Sequence, residues 1–437
     1  MKSKYMNKSK YMNNTKWMTL ACAVGLMTTI AASAEDTQLL LNKLIEKGIL
    51  TRKEADDLQK QSEKEQRVML QQAPADLPGW VKRYNMSGDL RLRNENFNGD
   101  GANTPGRERF RYRLRYGIGA TLTDSWAVGF RLASGATDDP ISVNETFGDG
   151  GERDPISIDQ AYAMWTPNSS FKLSMGKIPN PFKFAAKFDS AIIDGDYNPE
   201  GIAASYSHKL TDSTKLGFTA GGFILSESSS NSQDGYAGLA QLTLNSKLTS
   251  KLEADLGAGM YSIFNRASVT DLHQNRGNTL ASNPQNAPLH AMNPFIIDGA
   301  LTYKLDSFPG YPGAFPISIG GAYINNPGAS EKNEGFMAGI TFGKAAKAKE
   351  WSFGWQYREV QADALYDQWM DSDFGAYGVG GTTSTYRGGP DARGHAFGFN
   401  YMLSDSWTFA AELFQTEAIT ANGHDTSRFR FDLIWKF

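Results

Sequence analysis

The sequence predicts an all-β protein: a transmembrane antiparallel β-barrel of about 16 strands, behind a short N-terminal helical segment. Three observations carry that expectation. From Phe429 onward, Phe429, Phe431, Leu433, Trp435 and Phe437 fall on one side of a strand, and Arg428, Arg430, Asp432, Ile434 and Lys436 on the other. Successive side chains of a strand point to opposite faces, so one face is apolar and aromatic and the other mostly charged. A sandwich would hide that apolar face under a second sheet; a barrel turns it to lipid and keeps the charges in a wet lumen. Second, the period-two pattern persists from Tyr84 onward, and its connections alternate short and long. Third, no mature segment offers the ~18 consecutive apolar residues of a membrane helix. Barrels escape such scans because only alternate residues face lipid, which fits a mean hydropathy of −0.44.

In chain order, residues 1–34 read as a secretory signal. Lys2, Lys4, Lys8, Lys10 and Lys16 form a basic start, Met18 to Ile30 an apolar run, and Ala32-Ser33-Ala34 a small-x-small cleavage site. Cys22, the chain's one cysteine, admits a lipid-attachment reading, but Thr19-Leu20-Ala21 before it suits that poorly. Cleavage removes five lysines and no acid, taking the formal charge from −3 to −8 and leaving no cysteine, as suits an oxidising compartment.

Residues 35–79 are expected to hold a helical or coiled-coil segment and a linker. Leu39, Leu40, Leu41, Leu44 and Ile45 make an apolar stripe that stops at Gly48. Thr51 and Glu54 match a capping box for a second helix through Ala55, Leu58, Val68 and Met69. The segment reads as a helical hairpin or a coiled coil in an oligomer, with a solvated spacer as the alternative, and Pro74 and Pro78 mark the linker.

The barrel is expected over residues 80–437. Its strands are read at 84–98, 107–122, 126–137, 157–166, 170–178, 200–210, 215–226, 235–248, 251–264, 294–305, 315–324, 334–344, 350–362, 392–403, 407–418 and 427–437. Leu122-Thr123-Asp124-Ser125 recurs as Leu210-Thr211-Asp212-Ser213 and Leu403-Ser404-Asp405-Ser406, with Leu248-Thr249-Ser250 a shorter version. Asp and Ser favour such tight turns. Long polar segments lie between them at 138–156, 179–199, 265–292 and 363–391. An even strand count puts both barrel ends, and the helices, on the short-turn side. Trp80, Tyr84, Trp126, Trp351, Trp407 and Trp435 collect at that level, as an interfacial girdle would.

Arg107, Arg109, Arg111, Arg113 and Arg115 occupy successive alternate positions, with Glu108, Phe110, Tyr112, Leu114 and Tyr116 on the other face. An arginine in lipid costs about 2–4 kcal/mol at the midplane, so the row must face water or acids. Arg91, Arg93, Arg131, Arg428 and Arg430 extend it across neighbouring strands into one basic wall centred on barrel closure. The wall reads either as an ion path or as structural pairing with Asp89, Glu95 and Asp432. Segment 179–199, with Pro179, Pro181, Lys183, Lys187, Asp189, Asp194 and Asp196, is a candidate constriction that would oppose the wall with its acids; the alternative is a loop packed on the rim.

The terminal strand and its final Phe437 resemble the last strand of bacterial outer-membrane barrels, in which that Phe serves the barrel assembly machinery as a signal. With the signal, the helical lead-in and the strand rhythm, residues 35–437 resemble the bacterial outer-membrane porins, specifically the putative-porin group with an N-terminal helical segment. The resemblance implies a barrel of sixteen strands, a homotrimer, outer-membrane lipid and lipopolysaccharide around it, and passive diffusion of small hydrophilic solutes. It also implies a third loop folded into the lumen. The arginine row is similar to the ladder of the phosphate-selective porins, which implies anions as solutes and makes Lys177, Lys183 and Lys187 the counterparts of that group's constriction lysines. The acidic-aromatic-glycine constriction motif of enterobacterial general porins is absent.

No enzyme, cofactor or metal is expected. His208, His273, His290, His395 and His424 lie in loops or near strand ends, beside no recognisable nucleophile. Asp367, Asp371 and Asp373 lack an EF-hand's spacing and read as a solvated loop, and Tyr366, Trp369, Phe374 and Tyr377 as sugar-stacking or loop-packing rings. Nucleic-acid binding has no support in an acidic mature chain. A structural role, the helices tying the outer membrane to peptidoglycan, is the reading of a different class.

Overall fold

The chain was analysed as a computed structural model. Apart from Lys47 and Thr51, it describes residues 81–99, 106–148, 150–184, 189–229, 232–269, 275–282, 287–375, 388–420 and 425–437. The chain divides into Met1–Leu77 and Pro78–Phe437. The signal, the helical segment, Trp80, Lys187, Tyr377, His273 and His424 lie outside the described residues.

Sixteen long strands form one antiparallel sheet that closes on itself. We number them β1 Arg83–Gly99, β2 Arg107–Thr121, β3 Trp126–Ser134, β4 Ile156–Asn168, β5 Phe171–Lys177, β6 Glu200–Lys209, β7 Thr214–Ser226 and β8 Gly235–Lys247. The second half is β9 Leu252–Phe264, β10 Phe295–Leu305, β11 Phe315–Asn325, β12 Glu334–Gly343, β13 Trp351–Val360, β14 Ala392–Met402, β15 Trp407–Ala418 and β16 Asp425–Lys436. Each pairs with its sequence neighbour, and β16 returns to β1 in the register Leu92↔Leu433 and Glu95↔Arg430. A two-residue strand, Glu145–Thr146, prolongs the wall beside β2 where β3 ends.

The short connections are made as their repeat suggests, but by a different residue of it. The hydroxyl of the second residue accepts backbone N–H groups: Thr123 from Trp126 (3.0 Å), Thr249 from Leu252 (3.0 Å) and Ser404 from Trp407 (3.2 Å). Asp124, read as a turn-former, instead reaches Lys82 at 2.6 Å. The long connections all lie at the other end of the barrel. With an even number of strands, both barrel termini fall at the short-turn end.

The two faces differ in kind. Outward residues such as Leu92, Phe110, Leu242, Leu301, Ile319 and Phe431 are exposed, while Arg93, Glu95 and Arg428 are buried. That inversion of ordinary burial fits a lipid solvent outside and a filled lumen inside. Trp126 stacks on Trp165, and Trp407 on Trp435, near the short-turn end. The largest apolar cluster lies inside the ring. Inward residues of β6 to β13, among them Phe223, Tyr261, Ile296 and Met337, pack against Ile178, Phe182, Ile192, Leu365 and Trp369 of two long loops.

Candidate functional site

The wall is built by register. Arg91 lies opposite Arg113 and Arg93 opposite Arg111, while Asp89 faces Arg115 and Glu95 faces Arg109. Like charges directly opposite repel across a ladder, so the acids must interleave. Asp89 binds Arg113 and Arg115, both at 2.7 Å. Asp432 takes a bidentate grip on Arg93 at 2.7 and 2.8 Å. Glu95 is wholly buried and holds Arg109 and Arg428, with Arg93 at 3.6 Å and Arg111 at 3.9 Å. Arg131 pairs with Asp159 on β4, and Arg107 is exposed at the long-loop rim. A charge buried this deeply persists only where opposite charges and hydrogen bonds replace its hydration.

Two long loops complete the site. In residues 178–199, Asp196 reaches Arg113 at 3.6 Å and Arg115 at 3.0 Å. Asp194 lies in the same cavity, close to Asp371 and Asp373. Burial first, then the neighbouring Asp196 and Asp371, pushes its carboxyl well above the usual range. Asp189 begins a short helix, Asp189–Ile192. Lys183 is tied to β8 by its backbone: its N–H and carbonyl both bond the Gln241 carboxamide, at 2.9 and 2.7 Å. Lys177 pairs with Glu200 at 2.7 Å across the last β5–β6 rung at the long-loop rim, on the face opposite the inward Ser174 and Ala203.

In the second loop, described over residues 361–375 and 388–391, the aspartates are not the solvated groups expected. Asp367 and Asp371 are buried, and Phe374 wholly so. Trp369 packs on Tyr197, Tyr261 and Tyr366 with centroids 5.1, 4.9 and 5.6 Å away, and its carbonyl accepts the Asp194 N–H at 2.7 Å. The two loops thus form one shelf inside the ring. The three aspartates diverge rather than converge: Asp367 accepts the Arg276 N–H at 2.8 Å, Asp371 pairs with Arg358 at 2.7 Å, and Asp373 meets Arg428 at 2.8 Å. Asp373 also pairs with Arg430 and lies 3.5 Å from Arg93. Burial opposes its ionisation, but Arg428, Arg430 and Arg93 overcome that and hold the carboxyl well below the usual range.

Between shelf and wall lies a cavity of about 370 Å³, lined by Arg91, Arg113, Asn144, Arg358, Glu412 and Arg430 together with Asp194, Asp196, Asp371 and Asp373. Arg358, Asp371, Asp373 and Glu412 were not singled out by sequence reasoning as parts of the wall. For the two aspartates the signal was local and weak, aromatics dense enough in one loop, Tyr366, Trp369 and Phe374, to require packing; for Arg358 and Glu412 it was the alternation along β13 and β15, which puts both on the inward face. Among the described residues no group of three or more His, Cys, Asp or Glu could hold a metal ion.

A family model described as "Putative porin" matches residues 101–299 and 317–437. No curated protein matches the chain. Among solved structures, Pseudomonas putida OprB at high pH is 11% identical over 81% of this chain and 94% of its own, with a TM-score of 0.52. A double mutant of the Rh. blastica porin is 12% identical over 81% of this chain and 100% of its own, at 0.46. Vibrio cholerae OmpT lacking one loop is 12% identical over 81% and 99%, at 0.45. At these identities the likeness to OprB is one of fold.

Proposed function

The chain belongs to the putative-porin family, outer-membrane β-barrels that act as passive channels rather than enzymes, and from that premise we propose that its lumen conducts small hydrophilic solutes past an arginine wall with a weak preference for anions. The observation that carries this reading is the state of Arg91. Its guanidinium lines the cavity, its ion pair with Asp432 is long at 4.0 Å, and its Nε has no hydrogen-bond partner among the described residues. Arg111, beside it on β2, likewise has only a long pair, with Glu95 at 3.9 Å, and an unpartnered Nε, and both guanidinium groups donate to Asn144, a neutral partner that leaves their charge in place. Across the cavity, burial and the neighbouring acids push the Asp194 carboxyl toward its neutral form. A narrow pore with low-dielectric walls amplifies such local charge over the acidic charge of the chain as a whole.

The same reading takes residues 35–79 as periplasmic and the assembly as a homotrimer in lipid and lipopolysaccharide. The test is planar-bilayer recording in a salt gradient. Replacing Arg91 and Arg111 together by Gln should move the zero-current potential toward cation preference. The same change at Arg52 and Lys53, ahead of the barrel, should leave it in place. An unmoved potential in the Arg91/Arg111 variant, with folding verified, would assign the wall to structural pairing.

A further inference from the structure

Asp373 belongs to no strand, yet it touches more of the wall than any role in loop packing requires. Its carboxylate pairs with Arg428 and Arg430 and stands 3.5 Å from Arg93, and its carbonyl accepts a second Arg428 N–H at 2.9 Å. The residues around it fix the loop in place. The Asp373 N–H donates to Asp371 at 2.8 Å, and Asp371 is held by Arg358 of β13. Phe374 is buried beneath the Arg358 guanidinium, 4.8 Å from its ring centre, and edge-on to Phe414. Residues 371–375 therefore lie as a strap over the inner face of β13 to β16 and β1. The strap brings one negative charge to arginines that Glu95, Asp432 and Glu412 already partly balance. The other half of the wall is covered by a neutral group instead: Asn144 accepts Arg91 through its side-chain carbonyl and Arg111 through its backbone carbonyl, Asp196 reaches Arg113 and Arg115, and the ion pairs of Arg91 and Arg111 are long.

We infer that Asp373 is a specificity-determining residue of the channel: it silences the β16–β1 half of the arginine wall, so that the anion path runs along the β1–β2 half past Arg91 and Arg111. The inference rests on the channel reading given above. It follows from charge placement, because a carboxylate within 4 Å of three guanidinium groups, added to Glu95, Asp432 and Glu412, completes the neutralisation of the field they would send into the cavity. Removing that charge while leaving the arginines exposes a second anion-attracting surface.

The experiment compares Asp373→Asn, Asp373→Glu and the charge-balanced double variant Asp373→Asn/Arg430→Gln in bilayers, each first shown to run as a folded, heat-modifiable barrel. Asp373→Asn should raise the anion-to-cation permeability ratio by about twofold or more. Asp373→Glu keeps the charge and should stay near the wild type, and the double variant should return toward it. Asp212→Asn, in an exposed turn, should change nothing. A ratio in Asp373→Asn equal to that of the wild type overturns the inference. So does an equal shift in Asp373→Asn and Asp373→Glu, which would make the effect one of loop packing. If Asp373→Asn does not fold, a double variant as anion-preferring as fully unmasked arginines would predict, rather than near the wild type, overturns it as well. A folded wild type that carries no ionic current overturns the channel reading itself, and is thereby told apart from failure of the inference alone.

Discussion

Asp194 and Asp373 line the same cavity, yet their protons are held in opposite senses. Three arginines favour the carboxylate of Asp373. Its contribution to stability is present above the ordinary value of 3.8 and is lost as pH falls through the lower folded value. Burial and neighbouring acids disfavour the carboxylate of Asp194. There the folded chain keeps its proton above 3.8, so stability falls as pH rises from that value through the raised one. Asp194→Asn should therefore raise the melting temperature of the folded barrel in detergent near pH 7 and leave it unchanged near pH 3. Asp373→Asn should lower it near pH 7, with the deficit shrinking in strong acid. Melting curves at the two pH values check both signs; a pH-independent shift at Asp194 would show that it acts through packing.

At the scale of elements, the two inward loops lean on each other as well as on the sheet. Trp369 is the joint, buried against Tyr197 of one loop, Tyr366 of its own and Tyr261 of β9. Truncating a buried aromatic of this size costs about 3–5 kcal/mol where the cavity cannot collapse. The strand ladders do not pass through it. Trp369→Ala should thus leave a closed, heat-modifiable barrel but loosen the shelf, with larger and noisier single-channel conductance and faster protease cleavage within residues 361–391. Wild-type conductance together with wild-type cleavage would mean that the loops are held by the wall ion pairs alone.

At the scale of the molecule, closure is what turns a row of side chains into a lumen, and it is finished by the last residue. Phe437 exchanges backbone hydrogen bonds with Gly88, at 2.9 and 3.1 Å, and its ring lies against Trp435 with centroids 4.9 Å apart. A Cβ at Gly88 would meet that ring at 2.7 Å, so the position needs glycine for the close approach. Phe437→Asp places a charge at the lipid-facing end of the closing pair and should reduce the fraction of protein that migrates as folded barrel without heating. Undiminished folded barrel in that variant would remove Phe437 from any role in closure or assembly.

The sequence by itself determined the strands, because a period of two and a tight turn are local properties. The strand read at 107–122 is found at Arg107–Thr121, and that read at 407–418 is Trp407–Ala418. It also determined which face each arginine takes, since alternation along β2 leaves no other choice once lipid lies outside. What only the tertiary structure decided is who meets whom across the lumen. Asp373 and Arg93 are far apart in sequence, and nothing in the composition of residues 361–391 distinguishes a loop in water from one folded under its own aromatics. Lys183 illustrates the same limit: its sequence position says nothing of the backbone bonds to Gln241 that tie it to β8. Pairing of buried charges is set by distances in the closed ring, and those exist only after β16 has met β1.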